Sequence, residues 1–526
     1  MKIKYLRKLK VKLIKIKYKI YLQNIYLFLI GITTSFSLPP YNYWFINFLT
    51  FSLLFIILHK NPQANLKHFF LFGYFFGFGY FLSNMYWIPL SLSYDNNFNY
   101  LIPVAIILIP AFLSFFYAFA FLIFKMFFNH QTIFINILSF SLILGFFEFL
   151  RGTILTGFPW NLFAYSFSEN LNIIQITSLI GTYAFNTILI TTFSAFSILV
   201  LYKNKKEIYA LSIVVIIAAS IYIYGTFKLN DFKNLKPVKL SYEVKVLSTK
   251  IPIERFYSNF DDEEILINLI KLSKPWENEN SIFVWPEGII PNINLSKLTN
   301  EYNYLFEKSF KENHFVILGI NDEIENGKNK IYNSLSIIDY KANLIHKYYK
   351  NKLVPFGEFL PIENILTKIG LRSITNNYQS YTASPDRNIF KIEKYNFVFL
   401  PLICYEIIYS GKLSNNNNYS FIINISEDGW FGKSIGPYQH FSHSIFRSVE
   451  YGKYTLRSAN NGISAIIDPS GSILQNIDTN NEGVISIKEI VNTDKTLFSI
   501  YGNKIYFLII LLYIFLIFSF KKIQNE

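Results

Sequence analysis

Cysteine is almost absent from this chain. Among 526 residues there is one, Cys404, so no intramolecular disulfide framework can exist. Charge is sparse as well: Asp, Glu, Lys and Arg make up 16% of the chain, against 52% hydrophobic and 19% aromatic residues. That is too apolar for an ordinary soluble protein and too charged for a wholly membrane-embedded one. A membrane part joined to a water-soluble part fits both figures. Acidic residues are missing from residues 1–19, where nine positive charges stand at Lys2, Lys4, Arg7, Lys8, Lys10, Lys12, Lys15, Lys17 and Lys19. No small-residue cleavage site follows the first apolar run, which argues against a cleaved signal peptide. No repeat of solenoid period is visible. None of the seven histidines stands in an obvious catalytic context. His440 and His443 lie three apart on a predicted helix, but no further ligand cluster accompanies them, so no metal is expected.

What is abundant is long apolar sequence. Runs near 22–38, 44–59, 68–90, 101–124, 132–150, 172–201, 207–226 and 504–520 each approach the ~20 residues that cross a bilayer as a helix. Pro103 and Pro110 predict a kink in the fourth. Basic and neutral connections alternate along the series. The lysine-rich start, Lys60 to Lys67, Lys125 to His130, Lys203 to Lys206 and Lys521-Lys522 fall on one side of the membrane. The positive-inside rule then places both termini in the cytoplasm and residues 227–503 across the membrane. The net charge of +14 is largely this topology signal, so no nucleic-acid partner is expected. The expected parts are a basic cytoplasmic N-terminus (1–21), a seven-helix bundle (22–226), a catalytic domain (233–495), an eighth helix (504–520) and a cytoplasmic tail (521–526).

Residues 233–495 change character. Short β-rich runs appear at 242–247, 281–285, 315–320, 334–338, 397–403, 421–425 and 464–467, with helical patterns at 261–273, 300–312 and 438–457. This alternation predicts an α/β domain with helices packed on sheets. Cys404 follows the apolar run Phe397 to Ile403, and ligands of open α/β sheets gather at such strand ends. A nucleophilic thiol needs a base and a cation or donor for the oxyanion. Glu287, ending Ile282-Phe283-Val284-Trp285-Pro286-Glu287, is the candidate base. Lys350 is the candidate cation, although no spacing rule separates it from Lys347 and Lys352. Taken singly, each has a bland reading: a buried small hydrophobe, a solvated acid, a surface lysine. The long connection 359–395 reads either as a peripheral helix or as a lid whose Leu366, Ile369 and Leu371 dip towards the membrane.

Several ordered motifs together carry a resemblance. Trp285-Pro286-Glu287, then Lys350, then Cys404-Tyr405-Glu406 resembles the Glu-Lys-Cys triad of the nitrilase superfamily. Leu353-Val354-Pro355-Phe356-Gly357-Glu358 and Cys404-Tyr405-Glu406 resemble the apolipoprotein N-acyltransferase family in particular. So do Trp430-Phe431-Gly432, Gly436-Pro437-Tyr438-Gln439-His440 and Arg457-Ser458-Ala459-Asn460-Asn461-Gly462. In the apolar half, Arg151-Gly152 and Thr156-Gly157-Phe158-Pro159-Trp160 match as well. Two positions depart from the family pattern: Glu427 stands where an Asn is usual before Asp428, and Phe256 falls near a usual Trp.

The resemblance implies a fold of about eight transmembrane helices plus a nitrilase-like αββα sandwich. It implies Glu287 as general base, Lys350 as oxyanion stabiliser and Cys404 as nucleophile. Glu358 would tune the lysine, and Tyr405, Glu406 and Trp430 would support the pocket. The implied reaction is ping-pong acyl transfer without a cofactor. The donor is a membrane phospholipid and the acceptor a diacylated apolipoprotein. The implied setting is the bacterial cytoplasmic membrane, with a monomeric enzyme whose catalytic domain lies on the periplasmic face. Two other readings compete: a membrane-tethered nitrilase-type amidase or hydrolase, and a transporter or scaffold built around Glu148 and Arg151.

Overall fold

Apolar runs in the sequence become helices almost one for one. The computed structural model describes residues 21–128, 132–202, 204–257, 260–277, 279–325, 329–369, 380–411, 413–414 and 416–525. Among them are α1 (residues 21–35), α2 (Ile46–His59), α3 (Leu66–Met85), α4 (Ile102–Phe127), α5 (Ile133–Thr153), α6 (Thr177–Ala195) and α7 (Lys205–Lys233). The catalytic half adds α8 (Asp262–Ser273) and α9 (Gly436–Tyr451), and α10 (Lys504–Asn525) closes the chain. Helices at Asn96–Phe127, Ile133–Thr153, Thr177–Leu201, Lys205–Lys233 and Lys504–Lys522 are long and apolar enough to cross a membrane. The basic residues 1–20, and residues 370–379 of the expected lid with its Leu371, lie outside the described residues, as do the side chains of Leu366 and Ile369.

Two details of the helices differ from expectation. Pro103 sits in the first turn of α4, where its missing N–H is no loss, and only Pro110 lies inside the helix. The sixth run is not one long helix. A four-residue helix, Leu171–Ile174, precedes α6, and Gly181 interrupts α6 at φ 76° and ψ 170°. A side chain there would be strained and would also collide with Phe498, 2.1 Å from the position a Cβ would take. Arg151, alone among neutral loop residues in the sequence, is buried and paired with Glu148 of the same helix. Tyr117 donates to that Glu148. The pair explains why Arg151 escapes the charge pattern of the loops.

The strands form two six-stranded sheets. The first has the order β12-β1-β2-β3-β4-β5, built from β1 (Pro237–Ser248), β2 (Ser281–Val284), β3 (His314–Glu325), β4 (Asn329–Asp339), β5 (Leu344–Tyr349) and β12 (Gly483–Val491). The second has the order β11-β10-β9-β8-β7-β6, from β6 (Phe390–Ile392), β7 (Phe397–Ile403), β8 (Phe421–Glu427), β9 (Tyr454–Asn460), β10 (Ser464–Ile467) and β11 (Ile473–Ile477). Five of these, β5, β6, β9, β11 and β12, were not foreseen. The helical pattern expected over 438–457 stops at Gly452 (φ 62°), and the residues from Tyr454 onward are β9. The pattern at 300–312 is two short helices, Leu295–Glu301 and Asn303–Ser309.

Alternation along the strands sorts the layers. On β7, Phe397, Phe399 and Ile403 face the core between the two sheets, together with Val244, Val246, Ile282 and Val284 of the first sheet. Leu400 and Leu402 face the other way. Phe283 and Trp285 on the outer face of the first sheet pack with Leu266 and Leu269 of α8, which completes the sandwich. The outer face of the second sheet packs with α9 through Phe446 and Val449. That core is continuous with the membrane helices, reaching Phe185, Ile190 and Tyr506.

Candidate active site

Four strand ends converge on one buried polar cluster. Glu287 follows β2, whose line continues through Trp285, its N–H bonded to the Ile317 carbonyl at 2.8 Å. Lys350 follows β5 and is 1% exposed. Its Nζ lies 3.1 Å from Glu287 Oε1 and 2.8 Å from Glu358 Oε1. Asn333 of β4 bridges the same two carboxylates, donating at 2.7 Å to Glu287 and 3.0 Å to Glu358. Both Oε1 atoms are thereby paired. The second oxygens are taken by backbone N–H groups: Glu427 N to Glu287 at 3.0 Å and Val354 N to Glu358 at 2.8 Å. Burial opposes charge on Lys350, but Glu287 and Glu358 outweigh it and hold its pKa well above the ordinary value. Burial pushes Glu358 up, and nearby Glu287 adds to this against the pull of Lys350.

Cys404 stands at the end of β7 with φ 47°, a left-handed conformation that costs a non-glycine residue about 1–3 kcal/mol. Its thiol lies within reach of the charges of Glu287 and Lys350. Burial raises its pKa well above the ordinary thiol value, Glu287 raises it further, and Lys350 works in the opposite direction. The resting sulfur is therefore a thiol, and a base is needed to make it a nucleophile. Glu287, the candidate base, and Asp428 are the carboxylates whose charges act on this sulfur.

The other residues singled out in the sequence divide. Glu358 belongs to the cluster. Glu406 and Tyr405 spend their polar ends elsewhere. Glu406 accepts from Tyr348 Oη at 2.7 Å, Asn351 N at 3.0 Å, Lys352 N at 3.1 Å, Arg387 Nη2 at 2.8 Å and Ile403 N at 2.8 Å. It thus ties the segment after Lys350 to the turn that carries Cys404. Burial alone would raise the Glu406 pKa, yet Arg387 and these donors bring it below the usual range. Tyr405 Oη donates to the Gly157 carbonyl at 2.9 Å, so the turn is anchored to the loop after α5. Trp430 stands apart from the triad, against Phe256 (5.2 Å between rings), Tyr94 (6.2 Å) and Tyr257 (6.3 Å). The returning half of the 359–395 connection is part of the site: Tyr381 N bonds to the Glu358 carbonyl at 2.8 Å and Ser384 N to the Lys350 carbonyl at 3.0 Å.

Sequence reading missed a second layer. Arg255 is buried and donates to the carbonyls of Gly288 and Ile289 (3.0 Å each) and to Glu427. Since Glu427 N holds Glu287, Arg255 braces Glu287 through Glu427 and through the Gly288 carbonyl beside it. The two positions that depart from the family pattern are thus neighbours: Arg255 also stacks on Phe256 at 4.6 Å. On the opposite side of Cys404, His440 Nδ1 lies 3.0 Å from Asp428 Oδ1, and Arg457 Nη2 is 2.7 Å from Asp428 Oδ2. Burial and Arg457 lower the His440 pKa, so the ring is neutral at pH 7. Cys404, Asp428 and His440 bring ligand-type atoms within 4.8 Å of one another. Arg457 places a cation against two of the three, which makes them a hydrogen-bonded network and a poor cation site. His443 packs on the same Trp160 ring as His440, at 5.4 Å, and on Tyr165 at 4.2 Å.

A buried Glu-Lys-Cys cluster at the strand ends of a two-sheet sandwich defines a carbon–nitrogen hydrolase domain, and residues 251–492 match the carbon–nitrogen hydrolase family model. Residues 30–195 match the apolipoprotein N-acyltransferase N-terminal domain. The chain is 34% identical over 475 residues to an apolipoprotein N-acyltransferase of Rickettsia prowazekii, covering 86% of this chain and 90% of that protein. The enzyme of that name from Rickettsia typhi is 34% identical over 507 residues (92% and 95%), and that of Rhodopseudomonas palustris 29% over 482 residues (87% of each). Among solved structures, a Nesterenkonia amidase of the nitrilase superfamily aligns at 8% identity and a TM-score of 0.34, covering 49% of this chain and 94% of that one. The chain belongs to the apolipoprotein N-acyltransferase family.

Proposed function

We propose that this protein transfers a fatty acyl chain from a membrane phospholipid to the N-terminal amine of a lipoprotein's diacylglyceryl-cysteine. The carrying observation is the buried Glu287–Lys350–Glu358 cluster beside the first sheet, together with Cys404 on the second, whose outer face shares one apolar core with the membrane helices. Glu287 takes the thiol proton as Cys404 Sγ attacks the ester carbonyl. Lys350 offsets the charge on the tetrahedral oxygen. The carbon–oxygen bond of the ester then breaks, and the Glu287 proton passes to the departing lysophospholipid oxygen. A thioester remains on Cys404. The acceptor amine attacks it, loses a proton to Glu287 and forms the amide, and that proton returns to the leaving sulfur. Glu358 keeps Lys350 charged and in place.

A membrane bundle suits this chemistry. A wholly soluble enzyme would have to draw acyl chains into water at ~0.8 kcal/mol per CH₂. The setting we infer is the cytoplasmic membrane of a bacterium, with the catalytic domain on its outer face. Intact mass spectrometry of protein purified from membranes tests the proposal. The parental protein should carry a fatty-acyl adduct on Cys404, and Cys404→Ser should insert normally yet lose acyl transfer. Substantial transfer by the serine variant sinks the assignment.

A further inference from the structure

The left-handed turn at Cys404 must be held by something, because the backbone there is strained. Its carbonyl oxygen receives two side-chain donors. Asn424 Nδ2 lies at 3.4 Å and His440 Nε2 at 3.3 Å. Both donors belong to one buried frame. Arg457 Nη1 donates to Asn424 Oδ1, and Arg457 Nη2 lies 3.0 Å from His440 Nδ1 and donates to Asp428 Oδ2 at 2.7 Å. Ser426 Oγ adds a donor to Asp428 at 2.6 Å. Because a carbonyl only accepts, the bond to Cys404 requires a proton on Nε2, while Nδ1 lies 3.0 Å from both Arg457 Nη2 and Asp428 Oδ1. The ring itself is clamped between Trp160, stacked at 5.2 Å, and the edge of Phe431 at 5.4 Å.

We propose that His440 is a positioning residue for the nucleophile: through Nε2 it holds the Cys404 carbonyl, and so keeps the thiol in the field of Lys350 and Glu287. This rests on the reading of Cys404 as the nucleophile, but not on the lipid substrates. The ring takes no proton in the mechanism proposed above. Its contribution is the φ of one residue. Trp160 comes from the loop after α5 and donates through Nε1 to Gln439 at 3.0 Å, so the same frame rests on the helical region.

Two amide substitutions separate the two ring nitrogens. Gln reproduces the reach of Nε2, and Asn reproduces that of Nδ1 while leaving the Cys404 carbonyl with Asn424 as its side-chain donor. The full-length protein in detergent is treated with iodoacetamide, a small water-soluble reagent that reports only on the sole cysteine. Rates are followed across pH and normalised to the folded fraction. His440→Asn should react about tenfold more slowly at pH 8, with its pH profile displaced upward, as expected for a thiol that has lost about one pKa unit of help from Lys350. His440→Gln should keep the parental profile. A parental profile in the Asn variant overturns the proposal. So does equal loss in both variants, whether of reactivity or of folded protein. Failure of the acyl-transfer reading would leave these rates unchanged, because no lipid takes part in the alkylation.

Discussion

At the scale of single residues, the site works by opposing burial with paired charge. Lys350 is buried between two carboxylates, and each carboxylate has a backbone N–H on its free oxygen. Burial holds the Cys404 pKa high, and Glu287 adds to this against the pull of Lys350. The sign of the pH dependence follows. Alkylation of Cys404 by iodoacetamide should keep rising through pH 9, beyond the ordinary thiol midpoint of about 8.5. Lys350→Met removes the cation whose charge lowers this pKa. Its profile should move to higher pH, and acylation by phospholipid should fall by about two to four orders of magnitude. Stopped-time alkylation and acyl-adduct mass spectrometry check the two halves. An unmoved profile would mean that Lys350 does not act on the sulfur.

At the scale of elements, α9 is the joint between chemistry and membrane. Glu450, near its end, accepts from Thr182 N at 2.7 Å and Thr182 Oγ1 at 2.5 Å, just past the break at Gly181. It thus caps the second half of α6 from another domain. Arg447 pairs with Glu450 at 2.8 Å and donates to the Ile408 carbonyl at 3.1 Å, in the turn that begins at Cys404. All of these groups are buried. Glu450→Ala strands a buried arginine, which should cost about 3–5 kcal/mol. The double change Arg447→Met with Glu450→Leu should recover most of that loss, since neither charge is then left alone. Thermal unfolding in detergent reads both. Additive losses in the double variant would show that the two charges do not act as a pair.

The same scale shows what the sequence made legible. β7 and the Trp285-Pro286-Glu287 end of β2 could be read because their strands are unbroken apolar runs capped by a reactive residue. β9 could not, because it follows α9 after only two residues and its buried Arg457 and Asn460 read as the polar side of a helix. The second layer was hidden for a related reason. Asn333, Arg255, Asp428 and His440 are polar residues scattered along the chain, and only their burial marks them. One signal was available: Asn424 interrupts the apolar run from Phe421 to Ile425, and a polar side chain inside a buried strand has to find partners.

At the scale of the whole molecule, the membrane helices are a wall of the catalytic domain as well as its anchor. Leu400, Leu402 and Ile407, close in sequence to Cys404, share a core with Phe185 and Tyr506 of the helices. Polar bonds follow the same seam, from Tyr94 Oη to the Gly429 carbonyl at 3.0 Å to Gln175 Nε2 and the Ser470 carbonyl at 2.7 Å. This arrangement fixes which face of the bundle carries the sandwich, and the positive-inside rule predicts which way that face points. Lys60 and Lys67 flank the turn from α2 to α3, and Lys205 and Lys206 open α7, and the positive-inside rule predicts that all four lie on the cytoplasmic side. A reporter placed after Tyr202 should therefore be cytoplasmic. One inserted at Asn480, an exposed residue in the turn between β11 and β12, should lie across the membrane without disturbing either sheet. Paired alkaline phosphatase and fluorescent-protein fusions measure both positions. A cytoplasmic signal from Asn480 would put the triad on the inner face, and the acyl acceptor would then have to be a substrate on that side.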